Sequence, residues 1–192
     1  MEIETKSELK SKAKRIHEFF HQITPIYKCE KDNVSVIVNK IPEKAGIMIF
    51  FENSEDFFGM NRITYIGETK NLKERVSAHL RSHTELTKRI NEFLQLIESE
   101  KLLYPRNANK YILENMTFVV VKIPDEKLRH ELKNNLLYTL SEYNASWLGN
   151  SSISDENPIA KYRLWASEYR KTGRVLSDLE INGLDKLIRG EI

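Results

Sequence analysis

Two short apolar runs rich in β-branched and aromatic residues, Gly46 to Phe51 and Ile63 to Ile66, flank a polar stretch from Asn53 to Asn61 that contains Gly59. Runs this short are strand length, and a glycine-bearing polar connection between them predicts an antiparallel hairpin. Gly67 follows the second run and is expected to allow a tight turn out of the strand. Asn71 then precedes Leu72, Val76 and Leu80, which recur at helical spacing. Asn71 reads as a helix N-cap, with Glu74 three residues on as its reciprocal partner. The centre of the chain is thus a strand, turn, strand and helix in close succession.

Other elements group around this unit. Leu9, Ala13, Ile16, Phe20 and Ile23 predict an amphipathic helix over residues 5–23. Val34 to Val38 reads as a further strand, separated from Gly46 by Pro42. Ser82 and Glu85 repeat the capping pattern and open a helix carrying Leu86, Ile90, Leu94 and Ile97. Leu102 to Asn109, with Pro105, reads as loop. Phe118 to Ile123 is apolar throughout, as a central strand is. After Pro124 and Asp125, a helix presents Leu128, Leu132, Leu136 and Leu140 on one side. Ala145 to Asn157 reads as loop, and Pro158 opens a helix with Ile159, Tyr162, Ala166 and Tyr169. Ser177 to Glu180 is a capping box for a last helix with Leu184 and Leu187. The expected fold class is α/β in the α+β sense, a small antiparallel sheet flanked by helices. A core over residues 34–145 carries helical extensions over 1–33 and 146–192.

Composition bounds the function. A chain of 192 residues is one domain with extensions, or two small ones at most. Charged residues make up 30% but are mixed in sign, and the net charge is only +2, so any basic footprint must be local. The single cysteine, Cys29, excludes an internal disulfide and a cysteine-rich zinc site. No apolar run approaches membrane-spanning length, and the charged N-terminus is unlike a signal peptide. The expectation is a soluble, cytoplasmic protein with no membrane partner.

Tyr65, Lys70, Arg75 and His79 lie on the strand end, turn and helix of the central unit. Three cationic or titratable groups and a phenol suit a phosphodiester better than a core. The order of residues resembles the GIY-YIG nucleases. Gly46-Ile47-Met48 stands for the first half of the paired motif, with Met48 in place of its tyrosine, and Tyr65-Ile66-Gly67 is the intact second half. Arg75 lies ten positions after Tyr65, and His79 one helical turn later. Glu131, in Glu131-Leu132-Lys133-Asn134-Asn135, and Asn144, after Tyr143, match the later glutamate and asparagine. The resemblance covers about residues 40–145.

What the resemblance implies is a divalent-metal-dependent endonuclease acting on duplex DNA, of restriction or phage-defence type. In that reading Glu131 holds Mg²⁺ or Mn²⁺, which a single carboxylate suits because Mg²⁺ keeps most of its waters. Tyr65 activates water, Arg75 and His79 stabilise the phosphoryl charge, and Lys70 adds a point charge. Gly46, Gly67 and Asn144 shape the motif, and Glu68 is an alternative ligand. The alternative reading is a nucleic-acid-binding module that has lost catalysis through Met48. Lys161, Arg163, Arg170, Lys171 and Arg174, interleaved with Tyr162, Trp165 and Tyr169, form a second candidate nucleic-acid contact. His17 and His21 lack acidic or cysteine partners at metal-ligand spacing.

Overall fold

The computed structural model describes residues 6–28, 33–88, 90–91, 108–148 and 172–189; side chains at 6, 54–57, 141–148 and 187–189 lie outside this description. In chain order the elements are α1 (Lys6–His21), β1 (Tyr27–Lys28), α2 (Val34–Lys40), β2 (Gly46–Phe57), β3 (Met60–Thr69), α3 (Leu72–Arg81), α4 (Ala108–Asn115), β4 (Met116–Lys122), α5 (Glu126–Leu148), α6 (Asp178–Asn182) and α7 (Leu184–Arg189). The strands form one antiparallel sheet in the order β1-β4-β2-β3. The expected α+β class, a small antiparallel sheet flanked by helices, is the fold observed.

Alternation along β2 sorts the core into two layers, because successive side chains of a strand face opposite sides. Ile47, Ile49 and Phe51 face α1, α5 and the C-terminal helices, where Leu9, Ala13, Ile16, Phe20, Leu132 and Leu136 cover them. Met48 and Phe50 face α2, α3 and α4, against Ile37, Val38, Leu72, Val76 and Ile112. Burying each such side chain contributes about 1.5–3 kcal/mol. The helix at the N-terminus therefore completes one face of the sheet.

Five local expectations change. Val34 to Val38 is helical. Its β-branched composition favours a strand, but Val34, Ile37, Val38 and Ile41 follow helical spacing and pack together on the sheet. The polar connection shrinks, since β2 runs on to Phe57 and only Phe58 and Gly59 turn. Both have positive φ, 54° and 78°, the combination a two-residue primed hairpin turn requires. Ala108 and Asn109, read as loop, begin α4, and residues 145–148, also read as loop, continue α5. Ser82 ends α3, and the following helical turn is capped at Thr84. The Thr84 hydroxyl accepts from the Thr87 amide at 3.3 Å, and the Thr87 hydroxyl accepts from the Thr84 amide at 2.6 Å.

The other caps lie where expected. Asn71 Oδ1 accepts from the Glu74 amide at 3.2 Å, although the Asn71 amide is taken by Thr69 Oγ1 and not by Glu74. Ser177 and Glu180 close a reciprocal capping box at α6. The helix expected after Pro158 lies outside the described residues.

Candidate functional site

The hairpin and α3 bring Tyr65, Arg75 and His79 to one face of the sheet. Tyr65 pairs with Phe50 in the β2–β3 ladder, and a bulge next to this pair leaves Thr64 as the extra residue. The Tyr65 phenol lies 3.5 Å from His79 Nε2, at the outer limit of a hydrogen bond, with ring centroids 5.3 Å apart and edge-to-face. Phe50 contacts both rings edge-on and stacks on Phe118. His79 Nδ1 lies 2.8 Å from Thr84 Oγ1. With Nδ1 donating to that hydroxyl, Nε2 carries the lone pair that faces the phenol.

Burial is the dominant electrostatic fact here. His79 is fully enclosed and Tyr65 is 7% exposed. Desolvation, with a smaller push from the Arg75 charge, lowers the His79 pKa to about 3, so the imidazole is neutral at pH 7. Arg75 lies one helical turn before His79 and is half-buried.

Gly67 has a different role from the one expected. It lies inside β3, paired with Met48, and its φ is not positive. A Cβ there would stand 2.8 Å from Tyr65 Cε1 and 2.9 Å from the phenol oxygen. The glycine makes room for the Tyr65 ring. Gly46 is needed for a similar reason: a Cβ would lie 2.0 Å from the Val121 carbonyl oxygen and 2.8 Å from Leu72 Cδ1. Met48, opposite Gly67 in the ladder, is wholly buried.

The remaining residues of the expected set lie elsewhere. Lys70 is on the surface in an ion pair with Glu126 at 3.4 Å. Glu131 is exposed on α5, 4.0 Å from Lys127 Nζ. It lines a cleft of about 370 Å³ with Leu128, Leu132, Leu176, Leu179 and Leu184. That cleft adjoins the sheet face opposite Tyr65. Among the described residues no group of three His, Cys, Asp or Glu side chains could hold a metal ion. Asn144 is on α5, with its side chain outside the described residues.

Of the basic C-terminal set, Lys161, Arg163, Arg170 and Lys171 lie outside the described residues. Arg174 holds both carboxylate oxygens of Glu180, with one contact at 2.8 Å, and its amide donates to Asn135 Oδ1. His17 and His21 each turn Nδ1 to a carbonyl of their own helix, and His17 Nε2 accepts the Ile63 amide beside the β3 bulge at 3.0 Å.

Sequence reasoning missed a polar cluster around Glu68. His130 Nδ1 at 2.8 Å and Lys133 Nζ at 3.1 Å share one of its oxygens, and Arg129 approaches the other. The signal available was three basic residues at positions 129, 130 and 133, which share one face of a helix. No helix among the described residues is long and apolar enough to cross a membrane. Comparisons with protein-family models, with curated proteins and with solved structures return no match to this chain.

Proposed function

We propose that this chain acts on the phosphodiester backbone of nucleic acid, as an endonuclease of the GIY-YIG type with duplex DNA as its substrate. The observation that carries the reading is the constellation of Tyr65, His79 and Arg75 at the junction of hairpin and helix, over a glycine that leaves space for the phenol. A neutral His79 presents its Nε2 lone pair to the Tyr65 hydroxyl and can fix its orientation, so that the phenol oxygen positions the attacking water. Arg75 offers a planar donor fork for non-bridging phosphate oxygens.

A second reading, a nucleic-acid-binding module without cleavage, is favoured by specific geometry. Tyr65 and His79 are enclosed, Met48 supplies no hydroxyl, and α5 turns Arg129, His130 and Lys133 toward β3 while Glu131 lines a different cleft.

Supercoiled plasmid incubated with Mg²⁺, with Mn²⁺ or with chelator separates the two. The nuclease reading expects nicking in at least one metal, reduced about 10²–10⁴-fold by Tyr65→Phe and about 10²–10³-fold by Arg75→Ala. The binding reading expects salt-sensitive DNA retention and no nicking. Absence of both sinks the nucleic-acid assignment.

A further inference from the structure

His79 has a polar neighbour at each ring nitrogen. Nε2 faces the Tyr65 hydroxyl at 3.5 Å, and Nδ1 lies 2.8 Å from Thr84 Oγ1. The two neighbours are chemically unequal. A phenol gives up its proton far more readily than an aliphatic alcohol, so it is the stronger hydrogen-bond donor. The arrangement that uses this difference has Tyr65 donating to Nε2 and Nδ1–H donating to Thr84.

The end of α3 places Thr84 for this contact. Were the helix to continue, five residues at about 100° each would put position 84 about 140° around the axis from His79. Instead α3 stops at Arg81, and the turn that follows returns the Thr84 hydroxyl to the His79 ring. Asn109 Nδ2, in the first turn of α4, donates to the His79 and Ser82 carbonyls at 3.0 and 3.3 Å and pins this bend.

The Thr84 hydroxyl is itself fixed. Thr87 is wholly buried, and its own hydroxyl proton goes to the Thr84 carbonyl at 2.9 Å. One lone pair of Thr84 Oγ1 takes the Thr87 amide at 3.3 Å, and the second is left for Nδ1–H. The remaining Thr84 proton can turn to Thr87 Oγ1 at 3.4 Å. On the other side of the ring, Phe50 meets both Tyr65 and His79 edge-on and holds their planes.

We infer that Thr84 is a positioning residue of the site: it holds His79 in the Nδ1–H tautomer and so aims the Tyr65 hydroxyl proton at Nε2, which leaves the phenol lone pairs for the attacking water. The inference rests on the nuclease reading above. It adds the third group that orients a working histidine, a part that a carboxylate fills in hydrolytic triads. A neutral hydroxyl suffices here, because the imidazole orients the phenol and takes no proton from it.

The test reads the imidazole nitrogen resonances of the isotope-labelled full-length protein at pH 7, with the His79 signals assigned by their absence in His79→Gln. The wild type is expected to carry its proton on Nδ1. Thr84→Val, close in shape but without the hydroxyl, moves the proton toward Nε2, and Thr84→Ser restores it to Nδ1. The rate constant for plasmid nicking falls about 10–100-fold in Thr84→Val at unchanged plasmid affinity, as when a group that orients a functional histidine is lost. Thr84→Ser nicks at close to the wild-type rate. Thr84→Ala serves for the same comparison if Thr84→Val does not fold.

A helix cap with no part in the site predicts a lower melting temperature for Thr84→Val, with tautomer and nicking rate unchanged. That result overturns the inference, as does an Nε2–H tautomer in the wild type. Wild-type nicking that Tyr65→Phe diminishes leaves the nuclease reading standing in either case. A tautomer that follows Thr84 with an undiminished nicking rate also overturns the positioning role. If the tautomer follows Thr84 and no metal elicits nicking by the wild type, the nuclease reading falls, and Thr84 then sets the His79 ring without orienting a water.

Discussion

The Tyr65 ring lies directly over the α-carbon of Gly67, two residues along the same strand face, so that any side chain at 67 would meet the phenol below 3 Å. Gly67→Ala must therefore displace a ring that also packs against Phe50 and His79. The expected cost is about 1–3 kcal/mol, as for overpacking in a core. Urea unfolding would measure it, and near-ultraviolet circular dichroism would report the altered tyrosine environment. An unchanged midpoint together with an unchanged aromatic spectrum would show that the ring is free to move.

His17 and His79 make the fold sensitive to acid. Desolvation is the largest cause in both, and it lowers each pKa to about 3. In the unfolded chain a histidine titrates near 6.5. Between these values the unfolded chain binds more protons than the folded one, so stability rises with pH. The contribution is complete above about pH 6.5 and is lost as the pH falls toward 3, at about 1.4 kcal/mol per pH unit for each histidine. Unfolding free energies between pH 6.5 and 5, above the range of the carboxylates, isolate this effect. His79→Gln should halve the slope that the two histidines produce. A slope equal to that of the wild type would remove His79 from the account.

Met48 fills its site as a core residue. It is fully buried and lies between Gly67 on β3 and Val120 on β4. Met48→Leu should cost less than about 1.5 kcal/mol, and Met48→Tyr about 1–3 kcal/mol through overpacking. Met48→Tyr is not expected to raise plasmid nicking, since the added hydroxyl enters an apolar environment. A stable Met48→Tyr protein with stronger nicking would contradict this and would favour the nuclease reading with a restored phenol.

The C-terminal helix pair is tied to the body by Arg15 of α1, which donates to Asp178, and by the Leu176 amide, which donates to Thr139 Oγ1, and its first turn is capped internally. Ser177 and Glu180 cap α6 reciprocally, and Glu180 also holds Arg174. Ser177→Ala should lower stability by about 1 kcal/mol, or roughly 2–4 °C in melting temperature for a chain of this size. Calorimetry of the variant measures it directly, and a change below half a degree would mean that α6 contributes little to cooperative unfolding.

Local patterns carried far in this chain. The spacing of Leu72, Val76 and Leu80 specified α3 and its buried side, and Asn71 and Ser177 marked helix starts, because caps and apolar periodicity depend only on near neighbours. The β2–β3 hairpin was legible for the same reason. The segment at Val34 was harder. Its β-branched residues favour a strand locally, whereas its apolar spacing suits a helix, and packing on the sheet decided between them.

The composition of the site was equally visible, but its spatial grouping was not. Tyr65, Arg75 and His79 were recognisable because they lie on one strand and the helix that follows it. Whether Glu131 or Lys133 faces β3 depends on how α5 is rotated against the sheet. That rotation is set by Leu132, Leu136 and Leu140 packing on residues more than sixty positions earlier in the chain. Which groups are present, and which helix and strand carry them, follows from local order along the chain. The tertiary structure alone decided that the Tyr65 ring needs Gly67 to be a glycine, that His79 is held neutral by burial, and that Glu68 gathers three cations. Each of these depends on distance and desolvation between elements, which no local pattern encodes.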